Sequence, residues 1–247
     1  MMVTACAAPP RPPVAPPAPR KSQVARIHYE AGQKLFGQGD YLSAIESYQR
    51  AIDADERFGL AYLDMAEARL YVDGDYAAMR VLLEKAVALL PSSPRAHSRL
   101  ADVLLALDEV EPAIERWRYA LSLRPSMVES RLQLATALAR LGKIDKARRQ
   151  LEEAVRWAPR NVQARVRLGQ IYADARRFGD AAVQVEIAAE VGGRSAALYR
   201  RAATFYDSAG RGDLAVKLRG KADVIDPPAK QRRFRPLKKR KRRKKRR

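Results

Sequence analysis

The sequence predicts an all-α chain, a solenoid of six helix-turn-helix pairs between residues 25 and 229, with a disordered tail at each end. Three interlocked series predict it. Pro91, Pro125 and Pro159 stand 34 residues apart, and Pro227 lies two such steps further on. Ala86, Ala120, Ala154, Ala188 and Ala222 repeat at 34, and so do Ala113, Ala147, Ala181 and Ala215. Gly32, Ala66, Ala101, Ala135, Gly169 and Ala203 form a third series. Its single 35-residue step is absorbed near Asp73-Gly74-Asp75. A fixed period of this length is the mark of stacked supersecondary units.

Each unit resolves into two helices. In the fourth, Leu134, Leu138 and Leu141 stripe the first helix and Gly142-Lys143 supplies the turn. Ala147, Leu151, Ala154 and Val155 stripe the second, which ends before Pro159 because proline lacks the N–H a helix needs. The small residues mark close helix crossings. The pairs are expected at 25–58, 59–93, 94–127, 128–161, 162–195 and 196–229. Glu56 and Gly193 replace the terminal proline of pairs one and five, and Met79 replaces the second-helix alanine of pair two; these predict looser turns and local repacking. Lys217, Arg219 and Lys221 stand away from the Leu214, Leu218, Ala222 and Ile225 stripe of the last helix, as a terminal cap requires.

This pattern resembles the tetratricopeptide repeat family, which implies a right-handed superhelix whose first helices line a concave, peptide-binding groove. Carried over by position, the groove takes Tyr29, Gln33 and Phe36 from the first pair and Leu63, Glu67 and Leu70 from the second. Ser98, Asp102 and Leu105 follow from the third, then Leu132, Thr136, Val166, Gln170, Arg200 and Thr204. The N-terminal half is apolar enough for an amphipathic helix or an extended peptide. The family's clamp for a C-terminal carboxylate needs Lys and Asn, whereas Tyr29 with Gln33, Leu63 with Glu67, and Ser98 with Asp102 stand there.

Other patterns are absorbed by the repeat. Gly210-Arg211-Gly212-Asp213-Leu214-Ala215 matches a dinucleotide fingerprint in letters, but a helix and not a strand precedes it. The Arg-Gly-Asp triplet inside it is only three residues long. Ala137 and Ala215 stand where a phosphate loop ending at Gly142-Lys143 or Gly220-Lys221 needs glycine. His28 and His97 share one repeat position and read as packing residues, as do Trp117 and Trp157. One cysteine and two histidines exclude a disulfide within the chain and a multi-cysteine zinc site. We expect no catalysis, no cofactor and no metal.

The ends carry the remaining signals. Of 48 Lys and Arg, fourteen lie in residues 230–247, which hold no acid, so the other 229 residues carry +6 of the net +20. The run Lys238, Lys239, Arg240, Lys241, Arg242, Arg243, Lys244, Lys245, Arg246 and Arg247 cannot bury anything and reads as an electrostatic arm for nucleic acid, anionic lipid, lipopolysaccharide or an acidic protein. Folding back over Glu67, Asp102, Glu129, Asp174 or Asp207 is a further use of it. Residues 7–24 are rich in proline and alanine, a stiff polyproline II tether. Before it, Val3-Thr4-Ala5-Cys6 looks like the lipobox of bacterial lipoproteins, which implies a membrane anchor through Cys6. Five residues are too few for a signal peptide's apolar stretch, so the expectation is a start annotated late. Resemblance to small multi-repeat outer-membrane lipoproteins then implies an envelope adaptor that helps assemble a pilus, secretion or cell-wall complex. The alternative is a cytoplasmic scaffold whose arm binds nucleic acid or another polyanion.

Overall fold

The computed structural model describes residues 21–228. Cys6 and the arm at 238–247 lie outside them. Twelve helices follow in order: α1 (Lys21–Gly37), α2 (Tyr41–Ala54), α3 (Gly59–Val72), α4 (Tyr76–Leu89), α5 (Pro94–Ala106), α6 (Val110–Leu123), α7 (Val128–Arg140), α8 (Ile144–Trp157), α9 (Val162–Asp174), α10 (Phe178–Val191), α11 (Ala196–Ser208) and α12 (Gly212–Ile225). No strand occurs among the described residues. The helices pair as α1·α2, α3·α4, and so on to α11·α12, as the tetratricopeptide pattern predicts. They fall into two compact units divided between Ser92 and Ser93, the first holding α1–α4 and the second α5–α12.

The chain's chemistry explains the boundaries. Asp40, Asp75, Ser93, Asn161 and Ser195 cap helix starts, each side chain accepting from the backbone N–H three residues on; such caps satisfy donors the helix leaves orphaned. Inside every pair the helices are joined by three residues, and the middle one is left-handed: Gly39, Gly74, Asp108, Gly142, Arg176 and Gly210 have φ between 57° and 82°. Glycine adopts that conformation freely. Asp108 also accepts a hydrogen bond from Arg140, 2.7 Å away.

Three expectations are refined. The residue behind the 35-residue step sits in α3, which has 14 residues where α5, α7, α9 and α11 have 13. Lys21–Val24, expected in the tether, are the first turn of α1, because no proline follows Pro19 to forbid it. The fifth pair's exit, Gly192–Ser195, has left-handed Gly193 and Arg194 in place of a proline turn.

In each unit the core lies both within and between the helix pairs. In the first unit Tyr48, Ala44, Ala51, Ala61 and Met65 are buried together. Gly32 is glycine because a Cβ there would stand 2.5 Å from the buried Tyr48 ring, and Gly169 meets Val185 in the same way at 2.7 Å. Met79 is buried in its alanine position. Within the second unit, position four of two first helices locks the preceding turn. Arg131 donates to the Pro125 carbonyl and to Gln150 of α8, and Arg165 donates to the Pro159 carbonyl and to Gln184 of α10. Burial lowers the pKa of both guanidiniums. Trp117 is fully buried and His97 packs on Tyr119 at 4.5 Å. Trp157, expected in the core or an interface, is half exposed, since it is the last residue of α8 and projects beyond the stripe.

Candidate functional site

The first helices of each pair carry the candidate residues, and one register rule organises them. Counted from the first residue of each pair (25, 59, 94, 128, 162 and 196), position nine of one first helix meets position six of the next, 31 residues on. In the first unit Gln33 reaches Asp64 at 3.4 Å. In the second, Arg167 donates to Thr136 Oγ1 at 2.9 Å and Arg201 donates to Gln170.

Position five behaves differently from what the resemblance implies. In Tyr29 of the first unit and Ser98 of the second it is packed by the following pair. Tyr29 is buried against Tyr48 and Phe58; its hydroxyl donates to Asp64 at 2.7 Å and accepts from Gln33 at 2.7 Å. Ser98 is buried and shares a 2.8 Å hydrogen bond with Ser130 of α7. Leu63 and Leu132 are each 1% exposed. The side chains of these four are buried. In the last pair nothing follows among the described residues, and Arg200 turns onto the end of α12, where Asp223 and Asp226 accept from it. These ties hold its guanidinium at the end of α12. Val166 is half-buried.

The remaining candidates stay accessible. Gln33, Leu70, Thr136, Gln170 and Thr204 are exposed, and Phe36, Glu67 and Leu105 are half-buried. Asp102 is held between Arg99 at 3.2 Å and the Trp117 indole N–H at 3.1 Å. Burial nevertheless pushes its carboxyl above the usual range, outweighing both donors. The acids considered as a seat for the basic arm are engaged as well: Glu129 accepts from Gln133, Asp174 from Gln170, and Asp207 from Arg219.

Two groups were not among the expected residues. Arg167 and Arg201 occupy position six, one residue beyond the position chosen. Arg167 donates to the neutral Leu132 carbonyl and Thr136 hydroxyl. Arg201 donates to the Gln170 amide and lies over the Phe205 ring at 5.7 Å. The second group is aromatic and belongs to the first unit. Tyr41 and Tyr71 stack with centroids 4.4 Å apart, and Phe36 stands edge-on to both at 5.2 and 5.8 Å. The 34-residue step from Arg167 to Arg201 was visible in the sequence; the meeting of Tyr41 with Tyr71 was not.

No group of three or more His, Cys, Asp or Glu side chains is placed to hold a metal among the described residues. None of the described helices is long and apolar enough to cross a membrane.

A family profile described as tetratricopeptide repeat matches residues 29–94 and 132–195. No curated protein matches the chain. Among solved structures, the MamA protein aligns over 87% of this chain and 97% of its own at 20% identity, with a TM-score of 0.55. PilF of Pseudomonas aeruginosa aligns over 86% and 96% at 15% identity, TM-score 0.69. PilW, described as a widely conserved type IV pilus biogenesis factor, aligns over 85% and 96% at 18% identity, TM-score 0.67. At these identities the likeness is one of fold.

Proposed function

From the premise that the chain belongs to the tetratricopeptide repeat family, we propose that it is a scaffold whose second unit receives an acidic segment of a partner protein along α7, α9 and α11. The observation that carries this reading is the pair Arg167 and Arg201. Both guanidiniums are oriented by neutral acceptors one repeat apart, so their charge is positioned without being cancelled. Arginine in such a setting presents a planar set of donors matched to carboxylate. Thr136, Gln170 and Thr204 add polar groups to the same face.

The place of action is a further part of the proposal. Val3-Thr4-Ala5-Cys6 supports a lipid-anchored envelope protein, and the structural likeness to PilF and PilW suits an adaptor in pilus assembly. The mass of the N-terminal peptide from protein made in its native host tests the anchor. An acylated peptide beginning at Cys6 supports it, and an unmodified peptide beginning at Met1 or Met2 refutes it and returns the chain to the cytoplasmic alternative.

The docking face is tested with a photo-crosslinkable glutamate-rich peptide and the full chain. Cross-links are expected on α7, α9 and α11, and Arg167→Gln with Arg201→Gln should remove them. Cross-links confined to residues 230–247, unchanged in the double variant, would show that the basic arm alone holds acidic ligands.

A further inference from the structure

Two tyrosines of the first unit differ from those that build the core. Tyr29, Tyr172 and Tyr206 are buried and donate their hydroxyls to carboxylates. The hydroxyls of Tyr41 and Tyr71 have no partner among the described residues. Their rings stack 4.4 Å apart at an interplanar angle of 13°, and Phe36, packed on the core, holds both edge-on. Tyr71 is 59% exposed, and its chain neighbours Leu70 and Val72 are exposed as well. A rigid aromatic face of this kind accepts an apolar group or a cation, and the surrounding charge selects between them.

That charge is negative. Residues 36–42 and 67–77 hold four acids, Asp40, Glu67, Asp73 and Asp75, against Arg69 alone. Arg69 is already tied to Asp73 at 2.8 Å. Asp40 and Asp75 each use one oxygen to cap α2 and α4, and the second oxygen of each has no partner among the described residues. The tyrosine stack brings the turns that carry them side by side. A Cβ on Gly39 or Gly74 would meet nothing within 4 Å, so the approach over both turns is open. A guanidinium suits both parts of this surface, since it lies flat on a ring while its edge donates to carboxylate. The chain builds that arrangement for itself elsewhere: Arg177 lies over the Tyr172 ring at 4.6 Å and pairs with Asp180 at 2.7 Å. Among the described residues no cation lies over Tyr41 or Tyr71.

We propose that the Tyr41–Tyr71 stack receives an arginine from a basic segment of a partner protein, its guanidinium on the Tyr71 face and its donors toward the Asp40 and Asp75 carboxylates. The inference is independent of the acidic-segment site on the second unit and of any lipid at Cys6.

The probe is a fluorescein-labelled Gly-Ser peptide carrying three arginines, titrated into the isotopically enriched full chain. Anisotropy should show saturable binding that weakens with salt, and NMR shifts should concentrate at the amides of residues 39–42 and 70–76. Tyr71→Ala, at an exposed ring, should weaken binding about tenfold. Tyr71→Phe keeps the π face and should bind nearly as the parent does. Asp40→Asn with Asp75→Asn keeps both caps, because asparagine serves there as aspartate does, and should weaken binding about threefold. Equal affinity for Tyr71→Ala and the parent, or shifts confined to other segments, would overturn the proposal. So would the same shifts from an uncharged proline-rich peptide of equal length, since the surface would then read apolar groups. If Tyr71→Ala loses its fold by circular dichroism, the asparagine pair decides, and unchanged affinity in it overturns the proposal equally.

Discussion

Removing Trp117 tests how the second unit is held together. The indole is fully buried between α5 and α6 and donates to Asp102 at 3.1 Å. Burying roughly 200 Å² of aromatic surface at about 25 cal/mol/Å² corresponds to about 5 kcal/mol. The denatured chain already hides part of that area, so the figure is an upper bound. Trp117→Ala should therefore lower stability by about 3–5 kcal/mol, the range found for large-to-small aromatic substitutions. Trp117→Phe separates the terms, because it retains most of the packing and deletes the donor. The hydrogen bond itself is measured by a cycle of Trp117→Phe, Asp102→Ala and both, with an expected coupling of about 1–2 kcal/mol. Urea unfolding followed by circular dichroism at 222 nm is the assay, since the substitution removes a fluorophore. A loss below about 1 kcal/mol for Trp117→Ala, with an unchanged denaturant slope, would mean that this ring is not a keystone of the packing.

Three further outcomes are expected. Arg176→Gly should stabilise the chain by about 0.5–1 kcal/mol in thermal unfolding, because φ is 57° there and glycine relieves the left-handed strain; destabilisation would refute the role assigned to the turn. Burial, reinforced by Glu186, pushes the Tyr206 phenol up to about 12. The folded pKa then lies above the unfolded one, so this contribution is complete below about pH 10 and lost as pH rises toward 12. Relative to the parent, Tyr206→Phe should gain stability across that window, and a parallel pH profile would contradict the assignment. Arg200→Met should accelerate hydrogen exchange at the end of α12 while leaving α5 and α6 unchanged; equal protection in both proteins would show that the ties to Asp223 and Asp226 do not hold the helix end.

Much of the fold was legible because the repeat advertises it. The second to sixth pairs begin at Gly59, Pro94, Val128, Val162 and Ala196, where the period places them, since glycine, proline and capping residues act locally. The start of α1 was misplaced because composition blurs where a proline-rich segment stops resisting helix. The candidate site was only half legible. Helical spacing tells which side of a first helix a residue occupies, but not which neighbour covers it. Leu63 and Leu132 therefore looked available and are packed, while Arg167 and Arg201 were passed over one position away. The ties of Arg200 were not legible because its partners, Asp223 and Asp226, are more than twenty residues distant. The stacking of Tyr41 on Tyr71 joins two pairs, and no local pattern encodes it.

The left-handed turns also distribute strain unevenly along the second unit. Helix α10 enters from Arg176 and leaves through Gly193 and Arg194, so two of its three left-handed flanking residues are arginines that resist that conformation. Each pair is held by its neighbours and little else, and a helix bounded by strained joints detaches at the lowest cost. Strain at these joints therefore lowers the cost of detaching α10 relative to α8, whose entry turn is carried by Gly142.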